Sequence, residues 1–181
     1  MIRLTLLLIT VVFFLKNGQA QPYLFIETNK LNQLQLAVQE KESHHEQAFS
    51  SLLNRINANN LLVYGGDGNR YERSYLAQEA AFASLISTKR IDQEKYAKKA
   101  WQTIREIYEN PDQKMLPHQD YGLSRAMMQL GLALPYAWCR QFWTDQERDY
   151  VETKINEALD AWIDYNHANF GNERGSNWVA V

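Results

Sequence analysis

The helical spacing of the apolar residues limits most strongly what this chain can fold into. From Leu31 onward, apolar side chains recur at three- and four-residue steps in every long segment, and no segment alternates with a period of two. Steps of three and four place side chains on one face of a helix, whereas a half-buried strand needs strict alternation. The sequence therefore predicts an all-α protein.

Local signals predict where the helices end. The predicted helices cover the stretches 31–38, 49–56, 71–87, 93–109, 121–143 and 145–165. Between them we expect a break at Ser43–Glu46, a loop at Gly65–Asn69, a helix cap at Asp92, a helix end at Asn110–Asp112 and a loop at Asn166–Asn177. Pro135 is expected to kink or split its helix, because proline cannot donate a helical hydrogen bond. Thr144 and Glu147 have the spacing of a capping box.

The order of the segments predicts how the helices pack. They arrive in pairs, with roughly 25–30 residues between equivalent elements. A single amphipathic hairpin cannot bury its apolar face alone, so stacked antiparallel pairs are expected. The apolar run Trp178–Val181 has no cap or charged tail, and we interpret it as the start of a further helix in a truncated chain.

Residues 1–20 have the three zones of a cleavable signal peptide. Arg3 supplies a positive charge, an apolar run of 12 residues follows, and small residues stand at Gly18 and Ala20. The alternative is an uncleaved anchor, but the apolar run is too short to cross a hydrocarbon core of roughly 30 Å as a helix. We predict a mature chain that begins at Gln21, has no stable membrane anchor and is secreted or periplasmic.

Charge and the reactive side chains exclude several classes of function. Loss of Arg3 and Lys16 with the signal peptide leaves 17 lysines and arginines against 21 aspartates and glutamates, so the net charge is −4. This balance argues against a nucleic-acid partner, although a local basic cleft can still bind an acidic substrate. The lone Cys139 lies in an apolar helical stretch and is predicted to be buried and inert. His44 and His45 lack the spacing of a helical metal pair, so no metal or cofactor is predicted.

Several short motifs occur in one order along residues 21–181. They are Leu24-Phe25, Glu72-Arg73 with the alanine-rich stretch 77–83, Lys95–Ala100, His118–Ala126, Pro135–Trp138 and Gly175–Val181. In that order they resemble the N-terminal helical domain of the heparinase II/III-like polysaccharide lyases. Ala137 stands where the family has an aspartate, and Ser176 stands where it has an asparagine.

The resemblance implies a fold, a substrate and a site. The fold is an incomplete (α/α) toroid of antiparallel helical hairpins in residues 21–181. The reaction is β-elimination on an acidic, uronic-acid-containing polysaccharide of the glycosaminoglycan or alginate kind. Such a reaction needs a group that neutralises the sugar carboxylate, a base for the C5 proton and a tyrosine for the leaving oxygen. Asn177 is the candidate for the carboxylate, Trp178 for stacking on a sugar, and His118 and Tyr121 for polar groups of the cleft.

Each assignment has a plainer alternative. Asn177 is instead suited to cap a helix that begins at Trp178, and His118 to be a solvated loop residue. Core packing is the expected role of the other four tryptophans. The family's catalytic tyrosine and histidine lie on later helices, so we expect this chain to be inactive alone. A secreted, non-catalytic carbohydrate-binding or scaffold protein and a glycoside hydrolase on a similar toroid remain as alternatives; no acid pair stands out for the latter.

Overall fold

The computed structural model describes residues 26–41, 43–59, 68–109 and 123–169. These residues form helices and connecting turns, with no strand in the described ranges, so the all-α prediction is confirmed. None of the described helices is long and apolar enough to cross a bilayer. The helices are α1 (Thr28–Ala37), α2 (His44–Asn57), α3 (Gly68–Ile86), α4 (Arg90–Glu109), α5 (Leu123–Cys139) and α6 (Asp145–Asn169), with a 3₁₀ turn at Arg140–Phe142. The predicted signal peptide lies outside the described residues.

Side-chain caps begin two of the helices. Ser43 precedes α2, and its hydroxyl accepts a hydrogen bond from the backbone N–H of Glu46 at 3.0 Å. Before α6, the Glu147 carboxylate accepts from the Thr144 N–H at 2.8 Å, and the Thr144 hydroxyl accepts from the Glu147 N–H at 3.3 Å. These reciprocal bonds satisfy donors that have no partner inside the helix. The predicted capping box at Thr144 is confirmed.

Other predicted helix boundaries are wrong. Ser43 is the cap of α2, and His44 to Glu46 form the first turn of that helix, so the described part of the break lies at residues 38–41. Asp92 lies inside α4, which begins at Arg90. Gly68 and Asn69 are helical, as are residues 166–169, and the rest of both predicted loops lies outside the described residues. In each case a polar residue was interpreted as a stop signal, although helices accept polar residues freely on exposed faces.

Pro135 does not split its helix. α5 continues from Leu123 to Cys139 with Pro135 inside it, and the proline side chain is fully buried. The hydrogen bond lost at the proline is offset by the packing of its neighbours, since Leu132, Tyr136 and Cys139 are all buried in the core.

Helices α3 and α4 form an antiparallel hairpin. Beside the short connection, Ser84 Oγ donates to the backbone oxygen of Gln93 at 2.8 Å. At the opposite end, Arg73 of α3 and Glu106 of α4 form an ion pair. Residue numbers fall on one helix as they rise on the other, so the two helices run in opposite directions.

Helices α5 and α6 repeat this arrangement. Tyr136 donates a hydrogen bond to Glu152 on the side of the 3₁₀ turn, and Gln129 donates to the backbone oxygen of Ala158 at 3.5 Å further along. The chain therefore contains two successive antiparallel hairpins, which agrees with the packing expected from the sequence.

Alternate helices of the two hairpins run parallel. Between α3 and α5, Ser74 lies against Gly131, and the rings of Phe82 and Trp138 are 6.2 Å apart. Residue numbers rise together along both helices, so α3 and α5 are parallel neighbours in one layer. Since each hairpin is antiparallel, α4 and α6 are parallel in the other layer.

Helices α1 and α2 cover one side of α3. Gln35 of α1 donates to the backbone oxygen of Leu85 at 3.0 Å, and Arg55 of α2 forms an ion pair with Glu79. Leu31 and Ile56 are buried at this contact. Helix α3 is therefore enclosed by its neighbours, and its small side chains allow close approach: Ala77, Ala80, Ala81 and Ala83 are fully buried.

Several predicted core residues lie where the sequence placed them. Trp138 and Trp143 are buried and Trp101 is half-buried, whereas the side chains of Trp162 and Trp178 fall outside the described set. Cys139 is a free, fully buried thiol, and burial raises its pKa to about 12. A thiol that stays protonated to that pH is a poor nucleophile, so the prediction of an inert cysteine is confirmed.

Candidate functional site

The predicted site residues His118, Tyr121, Asn177 and Trp178 all lie outside the described residues, and their roles stay predictions. The helices that flank them are described. α4 ends and α5 begins at the same end of the stacked hairpins, and α6 also ends there, because α5 is antiparallel to both α4 and α6. Segments 110–122 and 170–181 therefore join the described fold at one common end.

Two polar surfaces stand out within the described part. The first, which we call the lysine cluster, consists of Asn57, Asn59, Lys95, Tyr96 and Lys99. Lys99 Nζ donates to Asn59 Oδ1 at 2.8 Å. Lys95 Nζ and Asn57 Nδ2 each lie 3.5 Å from the Tyr96 hydroxyl, the outer limit of a hydrogen bond. The cluster thus joins the C-terminal end of α2 to the first half of α4.

The ending of α2 fixes the position of Asn59. Ala58 caps the helix, and Asn59 follows it with φ = 54°, in the left-handed region. Asparagine is one of the few residues other than glycine that accept this conformation at a helix end. The Asn59 N–H donates to the backbone oxygen of Ile56 at 3.1 Å, which closes the last turn. The side chain is thereby directed from a defined backbone position towards Lys99.

The lysine cluster has a positive charge that no carboxylate neutralises within the described residues. The ion pairs of the described ranges involve neither Lys95 nor Lys99. The Lys95 ammonium instead lies 4.8 Å from the centroid of the Tyr96 ring, a distance at which the ring face attracts a cation. The polar groups of the lysine cluster are amides, a phenol and two ammonium ions, and this set is suited to oxygen-rich anions.

The second surface, the aromatic seam, joins the parallel helices α4 and α6. The Trp101 and Tyr150 rings meet edge to face with centroids 5.2 Å apart, and Trp101 lies 6.2 Å from Trp143. Such tilted pairs add to the stability that burial of the rings already provides. The residues of the aromatic seam are Trp101, Arg105, Tyr108 and Glu109 of α4 and Tyr150, Lys154 and Glu157 of α6.

The cations of the aromatic seam are paired with acids. Arg105 makes two hydrogen bonds to Glu109, at 2.9 and 2.7 Å, and Lys154 Nζ lies 2.7 Å from Glu157. The hydrogen bond from Arg105 lowers the pKa of Glu109, so this carboxylate stays charged in mildly acidic solution. The seam therefore has no net charge in these pairs, unlike the lysine cluster.

Tyr108 is the buried polar group of the aromatic seam. Its hydroxyl is enclosed and has no hydrogen-bond partner among the described residues. Burial raises the pKa of Tyr108, and the neighbouring Tyr150 and Glu157 raise it further. The phenol is thus kept neutral by its surroundings and cannot act as a base near neutral pH.

Neither surface was recognisable from the amino-acid pattern. Lys95 and Lys99 are four residues apart, and their side chains therefore share a helix face, but exposed lysines on helices are common. Asn59 lies in a polar stretch before a predicted loop, and nothing in that stretch distinguishes it from its neighbours. His44 and His45 are exposed, and no group of three or more metal-ligating side chains occurs in the described ranges.

Comparison of the chain with protein-family models, with curated proteins and with solved structures gives no match in any of the three. The motifs of the sequence and the two surfaces described above are therefore the observations that bear on function.

Proposed function

We propose that this chain is the N-terminal helical portion of a secreted polysaccharide lyase and that it binds an acidic, uronic-acid-containing polysaccharide. Binding is the role we assign to the helices of this chain. No residue of the described ranges is assigned to proton transfer, so the chain alone is proposed to bind without turnover.

The observation that carries the proposal is a lysine cluster, on an otherwise acidic protein, whose ammonium groups form no ion pair with the described residues. The net charge of −4 after removal of residues 1–20 repels a polyanion in general. A local positive site is therefore needed for an acidic sugar chain, and Lys95 and Lys99 supply one. Amide groups at Asn57 and Asn59 add donors that suit hydroxyl and carboxylate oxygens.

The arrangement of the helices supports the part of the proposal that concerns an α/α toroid. Two antiparallel hairpins follow each other with alternate helices parallel, which is the repeating arrangement of an α/α toroid. Continued repetition around an axis would close such a toroid, and the segments with the predicted site residues join the hairpins at one end. Fold alone does not define a function, so the test addresses binding and chemistry directly.

The experiment combines binding and turnover. The purified chain without residues 1–20 is titrated with heparan sulfate, chondroitin sulfate and alginate in a calorimeter, with dextran as the neutral control. In parallel, absorbance of the unsaturated uronate product is followed. We expect binding to acidic polysaccharides only, weakened by added salt as ion pairing is screened, and no product.

Three outcomes separate the alternatives. Failure to bind any acidic polysaccharide contradicts the proposal. Equal binding to dextran indicates a general carbohydrate-binding or scaffold protein. Sustained formation of unsaturated product shows that the chemistry resides in this chain, and our assignment of a binding role alone would then be wrong.

A further inference from the structure

We infer that the lysine cluster is a subsite for one anionic group, a carboxylate or a sulfate, of an acidic polysaccharide. The inference depends on the proposed function, since it names the residues through which the sugar chain is held. The proposed subsite lies at the junction of α2 and α4 and not at the aromatic seam.

The first argument is the spacing of the two lysines. Lys95 and Lys99 stand four residues apart on α4, so their side chains lie on neighbouring turns of one face. Like charges at this spacing destabilise a helix by a few tenths of a kcal/mol, roughly 0.2–0.5. Neither ammonium group forms an ion pair with a described carboxylate that would offset the repulsion. An anion bound between the two ammonium groups would relieve it.

The second argument is the excess of donors. Each ammonium group has three N–H donors, and each asparagine amide has two. Lys99 uses one donor on Asn59 Oδ1, while Lys95 and Asn57 each direct one at the Tyr96 hydroxyl. Most donors of the cluster therefore remain for a ligand, and acceptors are few. A site rich in donors and poor in acceptors suits carboxylate or sulfate oxygens.

The third argument is the rigidity of the frame. Lys99 is half-buried and held by Asn59, whose backbone is fixed in the left-handed conformation at the end of α2. Tyr96 is buried, so the hydroxyl that faces Lys95 and Asn57 cannot move far. A positioned donor set loses less conformational freedom on binding than free surface lysines do.

The aromatic seam does not fit this role. Its two cations, Arg105 and Lys154, are each hydrogen-bonded to a carboxylate of their own helix. An anionic group would have to displace Glu109 or Glu157 and lie beside the carboxylate that it displaced. We therefore expect a polyanion to bind at the lysine cluster and not at the aromatic seam.

The test uses charge-removing variants on one helix. Lys95→Gln and Lys99→Gln each remove one charge of the cluster. Lys98→Gln is the matched control, because Lys98 is exposed, adjacent in sequence and, unlike Lys95 and Lys99, forms no hydrogen bond with Tyr96 or Asn59 in the described structure. Affinity is measured by calorimetry with heparin, which offers sulfates and carboxylates, and with alginate, which offers carboxylates only.

We expect Lys95→Gln and Lys99→Gln to weaken binding about tenfold each, the loss of one hydrogen bond to a charged group. Lys98→Gln should change the affinity by no more than about twofold, since a solvated charge contributes little. Loss with heparin alone identifies a sulfate as the bound group, and loss with both polymers identifies a carboxylate.

A second variant and a stability readout guard against a merely structural effect. Asn59→Gly keeps the left-handed helix end and removes only the side chain that holds Lys99, so it should weaken binding without lowering the melting temperature. Without ligand, Lys99→Gln should leave the melting temperature unchanged or higher, because a like-charge repulsion is removed.

The failures are distinguishable. If the unaltered chain binds no acidic polysaccharide, both the proposed function and the subsite are wrong. If it binds but Lys95→Gln and Lys99→Gln match Lys98→Gln, the subsite is wrong and the proposed function stands. If Lys99→Gln unfolds at lower temperature without ligand, Lys99 is a structural cap of α2 and the subsite is again wrong.

Discussion

The two layers of the hairpin stack are joined in contrasting ways. In one layer, α3 and α5 meet at Ser74 and Gly131, a contact that we call the close seam. A Cβ atom placed on Gly131 would lie only 3.0 Å from Ser74 Cβ and 3.2 Å from Ser74 Cα. In the other layer, α4 and α6 meet through the rings of Trp101 and Tyr150.

The two contacts differ in the size of the side chains that meet. At Ser74 and Gly131 the parallel helices α3 and α5 meet through small residues, and further along the same helices the rings of Phe82 and Trp138 lie 6.2 Å apart. The parallel helices α4 and α6 meet through the large rings of Trp101 and Tyr150. Unequal spacing in the two layers would tilt each hairpin relative to the next, and a consistent tilt is what the proposed toroid requires.

The largest expected effect comes from removing a ring beside the aromatic seam. Trp143 is buried, packs near Trp101 and Tyr136, and donates its indole N–H to the backbone oxygen of Ala97 at 3.0 Å. Trp143→Ala should lower the free energy of unfolding by about 3–5 kcal/mol, because it opens a cavity and removes the buried hydrogen bond of the indole N–H. Urea unfolding followed by circular dichroism measures the loss.

A matched change tests whether position rather than ring size matters. Phe142 is the preceding residue and is only half-buried beneath the Arg90 guanidinium, 4.5 Å from its ring centroid. Phe142→Ala should therefore cost clearly less than Trp143→Ala. Equal losses would contradict the view that burial and the indole hydrogen bond make Trp143 the more important of the two rings.

The next largest effect is expected at the close seam. Gly131→Val places a branched side chain where a single Cβ already lies 3.0 Å from Ser74, so α3 and α5 must separate. Overpacking of this kind costs about 1–3 kcal/mol. Ala133→Val, on the same helix at a half-buried position, is the control and should cost only a few tenths of a kcal/mol through helix propensity. Similar losses in the two variants would mean that the seam yields to larger residues.

The sequence predicted the helices well and their contacts poorly. Periodicity depends on one helix at a time, so the apolar faces of Leu31, Ile104 and Val151 were recognisable, and all three side chains are buried. The capping box at Thr144 was equally local. The tilt between hairpins depends on which residues meet across helices, as Ser74 meets Gly131, and periodicity contains no information on such pairs.

The candidate site was harder to predict for the same reason. Asn59 and Lys99 are 40 residues apart in sequence and meet only after α2 and α4 have packed on α3. Nothing in the local pattern at either position distinguishes it from a solvated helix face. The residues chosen from motifs, such as His118 and Asn177, were selected by resemblance instead, and the described residues do not include them.

Removal of a single oxygen from the aromatic seam should change the free energy of unfolding least. The buried Tyr108 hydroxyl has no partner among the described residues, so Tyr108→Phe should leave the free energy of unfolding at pH 7 unchanged or raise it by up to about 1 kcal/mol. The control is Tyr136→Phe, which loses a hydrogen bond to Glu152 and should be destabilising.

The pH dependence gives the same test an independent readout. Burial raises the pKa of Tyr108 above its ordinary value of 10.0, so above that pH the folded chain keeps a proton that the unfolded chain has lost. Stability must therefore fall as the pH rises through the unfolded pKa. Tyr108→Phe removes this contribution, so its stability should decline less between pH 9 and 11 (about one unit on either side of a free tyrosine) than that of the unaltered chain. An identical decline, or a clear loss of stability at pH 7, would show that the hydroxyl is satisfied in solution and that the aromatic seam contains a polar contact.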